Sequence, residues 1–231
     1  MSQPRNVNNN PQALAGRSCA TAQFAREDVE ILARRDLYRG FFRAEQVQLR
    51  HRLFRTGQWS AAIKREILYR GEAVAVVLYD PARDEIALVE QFRLGALDEP
   101  QGPWRLEVVA GMLEPGEAPL DVARRELIEE AGLEQVELSY IGNCLASPGG
   151  CDEKLHLYCG LCDLTEAGGI FGLPDEHEDI KLHVLAADEV FATLYTDRCN
   201  NPAALISLQW LQLNRERLRA AYQTAAGCHE T

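Results

Sequence analysis

The sequence predicts a mixed α/β protein in two parts, a small N-terminal β segment followed by a larger region in which strands and helices alternate. Three observations lead there. Residues 28–70 carry a period-two pattern, the mark of half-buried strands. From residue 72 onward, apolar runs of strand length are interrupted by segments with helical spacing. A chain of 231 residues that is 46% hydrophobic and 26% charged can bury a substantial core and still carry an accessory lobe.

The elements follow in order. Residues 1–22 include Asn-Val-Asn-Asn-Asn-Pro and few large apolar groups, so they cannot offset the entropy of ordering and read as a disordered tail. Residues 23–70 read as the small β domain. Val47, Leu49, His51 and Leu53 alternate there with Gln48, Arg50 and Arg52, and the pattern breaks at Thr56-Gly57. Two or three strands have little to bury against, so this sheet is expected to pack on another domain or on a second copy of the chain, with a homodimer the first expectation.

Residues 71–231 form the second part. Strands at 72–79 and Glu85–Phe92 flank the turn Asp80-Pro-Ala-Arg-Asp84, and a further strand covers 105–110. A helix over Pro119–Ala131 has Leu120, Ala123, Leu127 and Ala131 as its apolar stripe, and Gly132 closes it. Strands at 138–146, Lys154–Leu161 and 181–185 come next. A last helix over 203–222 starts after Asn201-Pro202 and turns Leu205, Leu208, Leu211 and Leu218 to one side.

Composition excludes some functions. A net charge of −11 repels nucleic acid and anionic lipid, so neither is an expected partner. The most apolar run, 73–79, falls well short of the ~20 residues that span a bilayer. Seven irregularly spaced cysteines with no secretory leader ahead of them suggest reduced thiols in the cytoplasm. Cys159 and Cys162 form the one CxxC, but it sits in a strand-like run with nothing nearby to complete four ligands, so buried free thiols are expected rather than zinc.

The chemistry concentrates between Gly111 and Leu133. Gly111 and Glu117 are followed, after seven residues, by Arg125-Glu126-Leu127-Ile128-Glu129-Glu130-Ala131-Gly132-Leu133. Glu126 and Glu130 are four apart, so on a helix their carboxylates share one face while Leu127 and Ala131 turn inward. Two like charges so placed repel unless a cation lies between them, and a hard divalent ion suits such oxygens. Glu129 lies beside this face and could join through water. Taken alone, the glutamates read first as a solvated acidic helix face, the usual meaning of such a pair. Arg125 and Glu117 read as structural, since the guanidinium fork can tie a loop carboxylate to the helix.

Together these residues resemble the Nudix box, G-x5-E-x7-R-E-U-x-E-E-x-G-U, at all nine specified places. Outside the box, the segments 145–150, 172–180, 201–213 and 50–54 are similar to those of bacterial ADP-ribose pyrophosphatases, with Pro148 at a characteristic position past the box. The similarity spans roughly residues 28–222. It implies a mixed-sheet α/β/α sandwich preceded by a small antiparallel domain exchanged across a homodimer. It also implies Mg²⁺-dependent hydrolysis of ADP-ribose to AMP and ribose 5-phosphate, with Mn²⁺ as an alternative ion. By position, Glu126, Glu130, Glu178 and the Ala110 carbonyl correspond to metal ligands. Glu176, in an acidic loop over 168–179, corresponds to the base, and Glu129 assists catalysis. Arg65, Arg93, Phe42 and Pro148 correspond to substrate-holding positions, with Glu66 and Glu107 as further pocket candidates. For Arg93 the alternative is a pair with a local carboxylate such as Asp98, and for Phe42 a place in an interface core. Two rival functions stand beside this one: hydrolysis of another nucleoside diphosphate sugar such as GDP-mannose, and a non-catalytic nucleotide-binding module.

Overall fold

A computed structural model of the protein describes residues 22–194 and 196–227. The expected tail therefore lies, but for Ala22, outside the described residues. The chain separates into two compact units, one built from residues up to Arg39 together with Ala44–Glu66, the other from Gly40–Arg43 and residues from Ile67 onward.

The smaller unit centres on a three-stranded sheet of order β1-β2-β3, with β1 at Val29–Arg39, β2 at Arg43–His51 and β3 at Ile63–Tyr69. The short turn between β1 and β2 makes them an antiparallel hairpin. Among the described residues of this unit only Glu45 and Val47 are buried, and Glu45 accepts a 2.8 Å hydrogen bond from Arg34 Nη1. Leu32, Leu37, Tyr38 and Phe54 remain exposed. The sheet thus has almost no core of its own.

The larger unit is a sandwich around an eight-stranded mixed sheet. Its strands are β4 (Glu72–Asp80), β5 (Glu85–Phe92), β6 (Trp104–Glu107), β7 (Val109–Met112), β8 (Glu137–Leu145), β9 (Lys154–Leu161), β10 (Gly169–Phe171) and β11 (Ile180–Ala186). The helices are α1 (Pro119–Ala131), α2 (Ala187–Thr193) and α3 (Pro202–Gly227). The main path runs β10-β11-β5-β4-β9-β8, with β6 bonded to β5 and β7 to β4. β4 and β9 are parallel, whereas the other pairs are antiparallel.

β4 explains why the sequence there is a continuous apolar run. Ala73, Ala75, Val77 and Tyr79 pack into one core with Leu208 and Leu211 of α3, while Val74, Val76 and Leu78 pack into another with Val122, Ala123 and Leu127 of α1. A strand covered on both faces has no use for polar alternation. Each such Val or Leu contributes about 1.5–3 kcal/mol by leaving water.

Four expectations need correction. The strand expected at 105–110 is two strands: β4 and β5 pair only from Leu78–Asp80 to Glu85–Ala87 and then diverge. The segment that follows bonds to β5 through β6 and then changes partner at buried Val108 to bond to β4 through β7, since one straight strand cannot serve two diverging neighbours. Leu120 is exposed, and Val122 takes its place among the buried positions of α1. The stretch 168–179, expected as one loop, begins with β10, which pairs with β11. The final helix starts one residue earlier and ends five later than expected, and the seven-residue α2 had no counterpart in the sequence pattern.

The far end of α3 is pinned to the β4–β5 turn. Asp84, at φ 61°, accepts hydrogen bonds from Tyr79 Oη (2.7 Å), Arg215 Nε (2.8 Å) and Arg219 Nη1 (3.0 Å). Among the described residues no helix is long and apolar enough to cross a membrane.

Candidate active site

The site is built on α1 and the strand that precedes it. Pro119 sits in the first turn, where a missing N–H costs nothing, and Gly132 adopts the left-handed conformation (φ 66°) that ends the helix by donating to Ile128 O and Leu127 O. The loop 113–118 returns the chain from β7 to α1. Arg125 holds that loop down: its Nη1 pairs with Glu117, and its Nη2 donates to Glu126 Oε1 at 3.2 Å and to Met112 O at 3.4 Å. Glu117 in turn accepts from Glu114 N at 2.8 Å, and that backbone bond together with Arg125 keeps its carboxyl below the usual range. Arg125 and Glu117 are the structural pair that their spacing predicts.

Glu126 and Glu130 lie on the face of α1 that meets β7. Glu130 is 3% exposed, and its Oε2 accepts one hydrogen bond, 3.0 Å from Ala110 N. Burial pushes its carboxyl up to about 8, with the charges of Glu126 and Glu178 acting in the same direction and the Ala110 N–H and Arg93 opposing. Glu126 is likewise raised, first by burial, then by Glu129 and Glu178, against the pull of Arg125. Glu129 stands 3.9 Å from Arg125 Nε.

The acidic segment after β10 is tied to the same helix. Gly172 N donates to Glu129 O at 3.1 Å, and Glu178 Oε2 accepts from Leu173 N at 3.1 Å. Glu176 ends the single turn Pro174–Glu176 and is exposed.

This donor set fits a divalent cation. A carboxylate as buried as Glu130, with one N–H for company and two more carboxylates raising its pKa, is costly to ionise without a cation beside it. Hard oxygen donors of this kind suit Mg²⁺. Among the described residues no three acidic, His or Cys side chains converge to ligand distance, and Arg125 occupies part of the space beside Glu126.

The expected substrate residues divide between the units. Arg93 and Glu107 come together: Arg93 Nε and Nη2 each lie 2.8 Å from Glu107 Oε2. The partner of Arg93 is thus Glu107 across the β5–β6 ladder rather than Asp98. Arg93 Nη1 has no hydrogen-bond partner among the described residues, and the side chain is 43% exposed. Phe42, in the turn counted with the larger unit, lies under the Arg70 guanidinium at 4.8 Å and edge-on to Phe41. Pro148 is exposed in the loop after β8. Arg65 and Glu66 are exposed on β3 in the smaller unit, where Arg65 Nη1 donates to Lys64 O. Cys159 and Cys199 are buried and Cys162 is half-buried.

Two residues of this neighbourhood escaped the sequence reading as site residues. Asn201 Nδ2 donates to Glu107 Oε1 at 3.1 Å, and Arg105, 4% exposed, donates to Asn200 Oδ1 at 2.8 Å and to Asp197 O. The signal that could have flagged them is the pair of charges, Arg105 and Glu107, at alternate positions of an otherwise apolar strand.

Comparison with known proteins adds to this geometry. The NUDIX domain matches residues 69–207. An Escherichia coli protein named ADP-ribose pyrophosphatase is 47% identical over 196 residues, covering 85% of this chain and 93% of its own. A Haemophilus influenzae protein of the same name is 44% identical over 203 residues, covering 87% and 93%. Among solved structures, one titled as an ADP compounds hydrolase superimposes with a TM-score of 0.59 at 20% identity, covering 80% of this chain and 95% of that one, and shares the fold.

Proposed function

Because the chain belongs to the NUDIX family, we propose that it hydrolyses the diphosphate of ADP-ribose to AMP and ribose 5-phosphate, using Mg²⁺ held on the acidic face of α1. The observation that carries this reading is Glu130: a carboxylate 3% exposed, raised to about 8, on the same helix face as Glu126. The 44–47% identity to ADP-ribose pyrophosphatases over most of both chains supports the substrate.

Glu126, Glu130, Glu178 and the Ala110 carbonyl would hold the ion. Bound there, Mg²⁺ supplies charge neutralisation on the diphosphate oxygens and favours ionisation of water at neutral pH. The chain's own groups do the rest. Arg93, fixed by Glu107 along one edge, offers Nη1 to a diphosphate oxygen. Glu176, exposed at the end of its turn, takes the proton from the attacking water. Glu129, beside the helix face, steadies ordered water there. Arg65 and Glu66 serve recognition of the adenine, and Pro148 contributes to substrate binding. Phe42 stacks on the base from a second copy of the chain, and the small sheet, nearly coreless by itself, is the part that copy covers.

The test is to strip divalent metal with a chelator, add back Mg²⁺ or Mn²⁺, and follow ADP-ribose by chromatography. Restored formation of equal AMP and ribose 5-phosphate is expected. Turnover indifferent to metal, or products other than these two, would overturn the proposal.

A further inference from the structure

α3 begins at a residue that does two jobs. Asn201 precedes Pro202, and its Oδ1 accepts from Ala204 N at 2.8 Å, the side-chain cap that satisfies an otherwise orphaned N–H of the first turn. Its other arm, Nδ2, donates to Glu107 Oε1 at 3.1 Å. The two bonds use an acceptor and a donor on separate atoms of one short side chain, which Asn has; Asp lacks the donor, and Ser or Thr carries both on a single oxygen that reaches one atom less far.

Glu107 is buried, and its oxygens are divided: Oε1 takes Asn201, and Oε2 takes both Nε and Nη2 of Arg93. Without Asn201, Glu107 Oε1 would be left buried with no partner, and the carboxylate would be free to turn about its terminal bond. Rotation of that group swings the oxygen that sets the plane of the Arg93 guanidinium. Two residues earlier on the same strand, Arg105 grips Asp197 O and Asn200 Oδ1. Alternate residues of β6 thus fasten the loop before α3 at two points, so Asn201 is held in place rather than merely near.

We propose that Asn201 is a positioning residue for substrate binding: through Glu107 it fixes the Arg93 guanidinium in the orientation that meets the diphosphate. The inference rests on the reading of Arg93 as a diphosphate-binding group. It assigns a role to the start of a helix whose body lies on the opposite core from α1, and it makes the Asn201–Glu107–Arg93 chain a single unit.

The experiment measures kcat and KM for ADP-ribose in the full-length chain with Mg²⁺, for Asn201→Ser, Asn201→Asp, Arg93→Ala and the double variant Asn201→Ser/Arg93→Ala. Ser keeps a good helix cap, so the melting temperature of Asn201→Ser is expected to stay within a few degrees of wild type, roughly the effect of a preserved cap, whereas Asn201→Asp is expected to melt lower. Asn201→Ser is expected to raise KM roughly five- to tenfold with kcat nearly unchanged, the scale of one lost hydrogen bond. Asn201→Asp, which sets a second carboxylate against Glu107, is expected to raise it more. In the Arg93→Ala background the Ser substitution should add nothing, because its effect passes through Arg93. If Arg93→Ala raises KM but Asn201→Ser does not, or if the two effects multiply, the positioning role is wrong while the reading of Arg93 stands. If Arg93→Ala leaves KM unchanged, the reading of Arg93 fails and the inference falls with it.

Discussion

The Glu126 carboxylate lies directly against the backbone of Gly111: a Cβ built on Gly111 would sit 2.0 Å from both Cδ and Oε1 of Glu126. Gly111 does not adopt a left-handed conformation, so the requirement is for space, and it comes from a side chain fifteen residues later. The first residue of the motif is thus a glycine because the helix glutamate needs the room above β7.

Gly111→Ala follows as the first prediction. Glu126 is a flexible side chain and can give way, so the fold should survive with a melting temperature close to wild type. Its carboxylate, however, would be displaced by an ångström or more, and a shift of that size costs on the order of 100-fold in rate. Steady-state kinetics beside circular dichroism would check both halves. Undiminished kcat would show that Glu126 need not occupy its present position.

Glu130→Gln should stabilise the protein in the presence of a chelator while abolishing activity. The folded-state pKa is raised from 4.5 to about 8, so the contribution of this group is fully present below 4.5 and is lost as pH rises through about 8. Metal-free wild type should therefore lose stability between those limits, by at most about 1.4 kcal/mol per pH unit. The Gln variant should lack that slope in urea denaturation. Equal slopes in the two proteins would contradict the burial penalty.

Asp84→Asn should act in the opposite pH range. The Arg215 hydrogen bond, followed by Tyr79 and the charges of Arg215 and Arg219, holds the Asp84 carboxyl below its ordinary 3.8, against the opposing effect of burial. A depressed carboxyl stabilises above the unfolded value and loses that effect as pH falls through the folded one. At pH 7 the substitution is expected to cost about 2–3 kcal/mol, since it leaves two arginines short of their partner. The difference should vanish in acid, once wild-type Asp84 is itself protonated. A constant difference across pH would mean the loss is one of packing.

Glu176→Gln should lower kcat about 100- to 10,000-fold with KM little changed, as expected for removal of a general base that contributes little to ground-state binding. Glu176 is exposed at the end of a short turn, so stability should not change. A KM effect alone would make it a binding group.

What the sequence made legible was whatever depends on short range. The helix glutamates four apart, the Gly132 stop and the apolar run of β4 all follow from local spacing. The change of partner at Val108 was not legible, because it arises from the divergence of β4 and β5, a relation between strands rather than within one. Leu120 fits the helical period yet is exposed at the start of α1, where Val122 is buried instead. α2 is only seven residues long, too short for periodicity to register. The Asn201–Glu107 bond joins residues 94 apart and leaves no pattern in either neighbourhood.

The most direct test of the central claim is the ratio of kcat/KM across ADP-ribose, ADP-glucose, GDP-mannose, NADH and diadenosine polyphosphates, each measured with Mg²⁺ and with chelator. The account predicts that ADP-ribose leads and that every activity disappears with the metal. Preference for GDP-mannose would contradict the assigned substrate, and hydrolysis of none of them would contradict the reading of the α1 carboxylates as catalytic machinery.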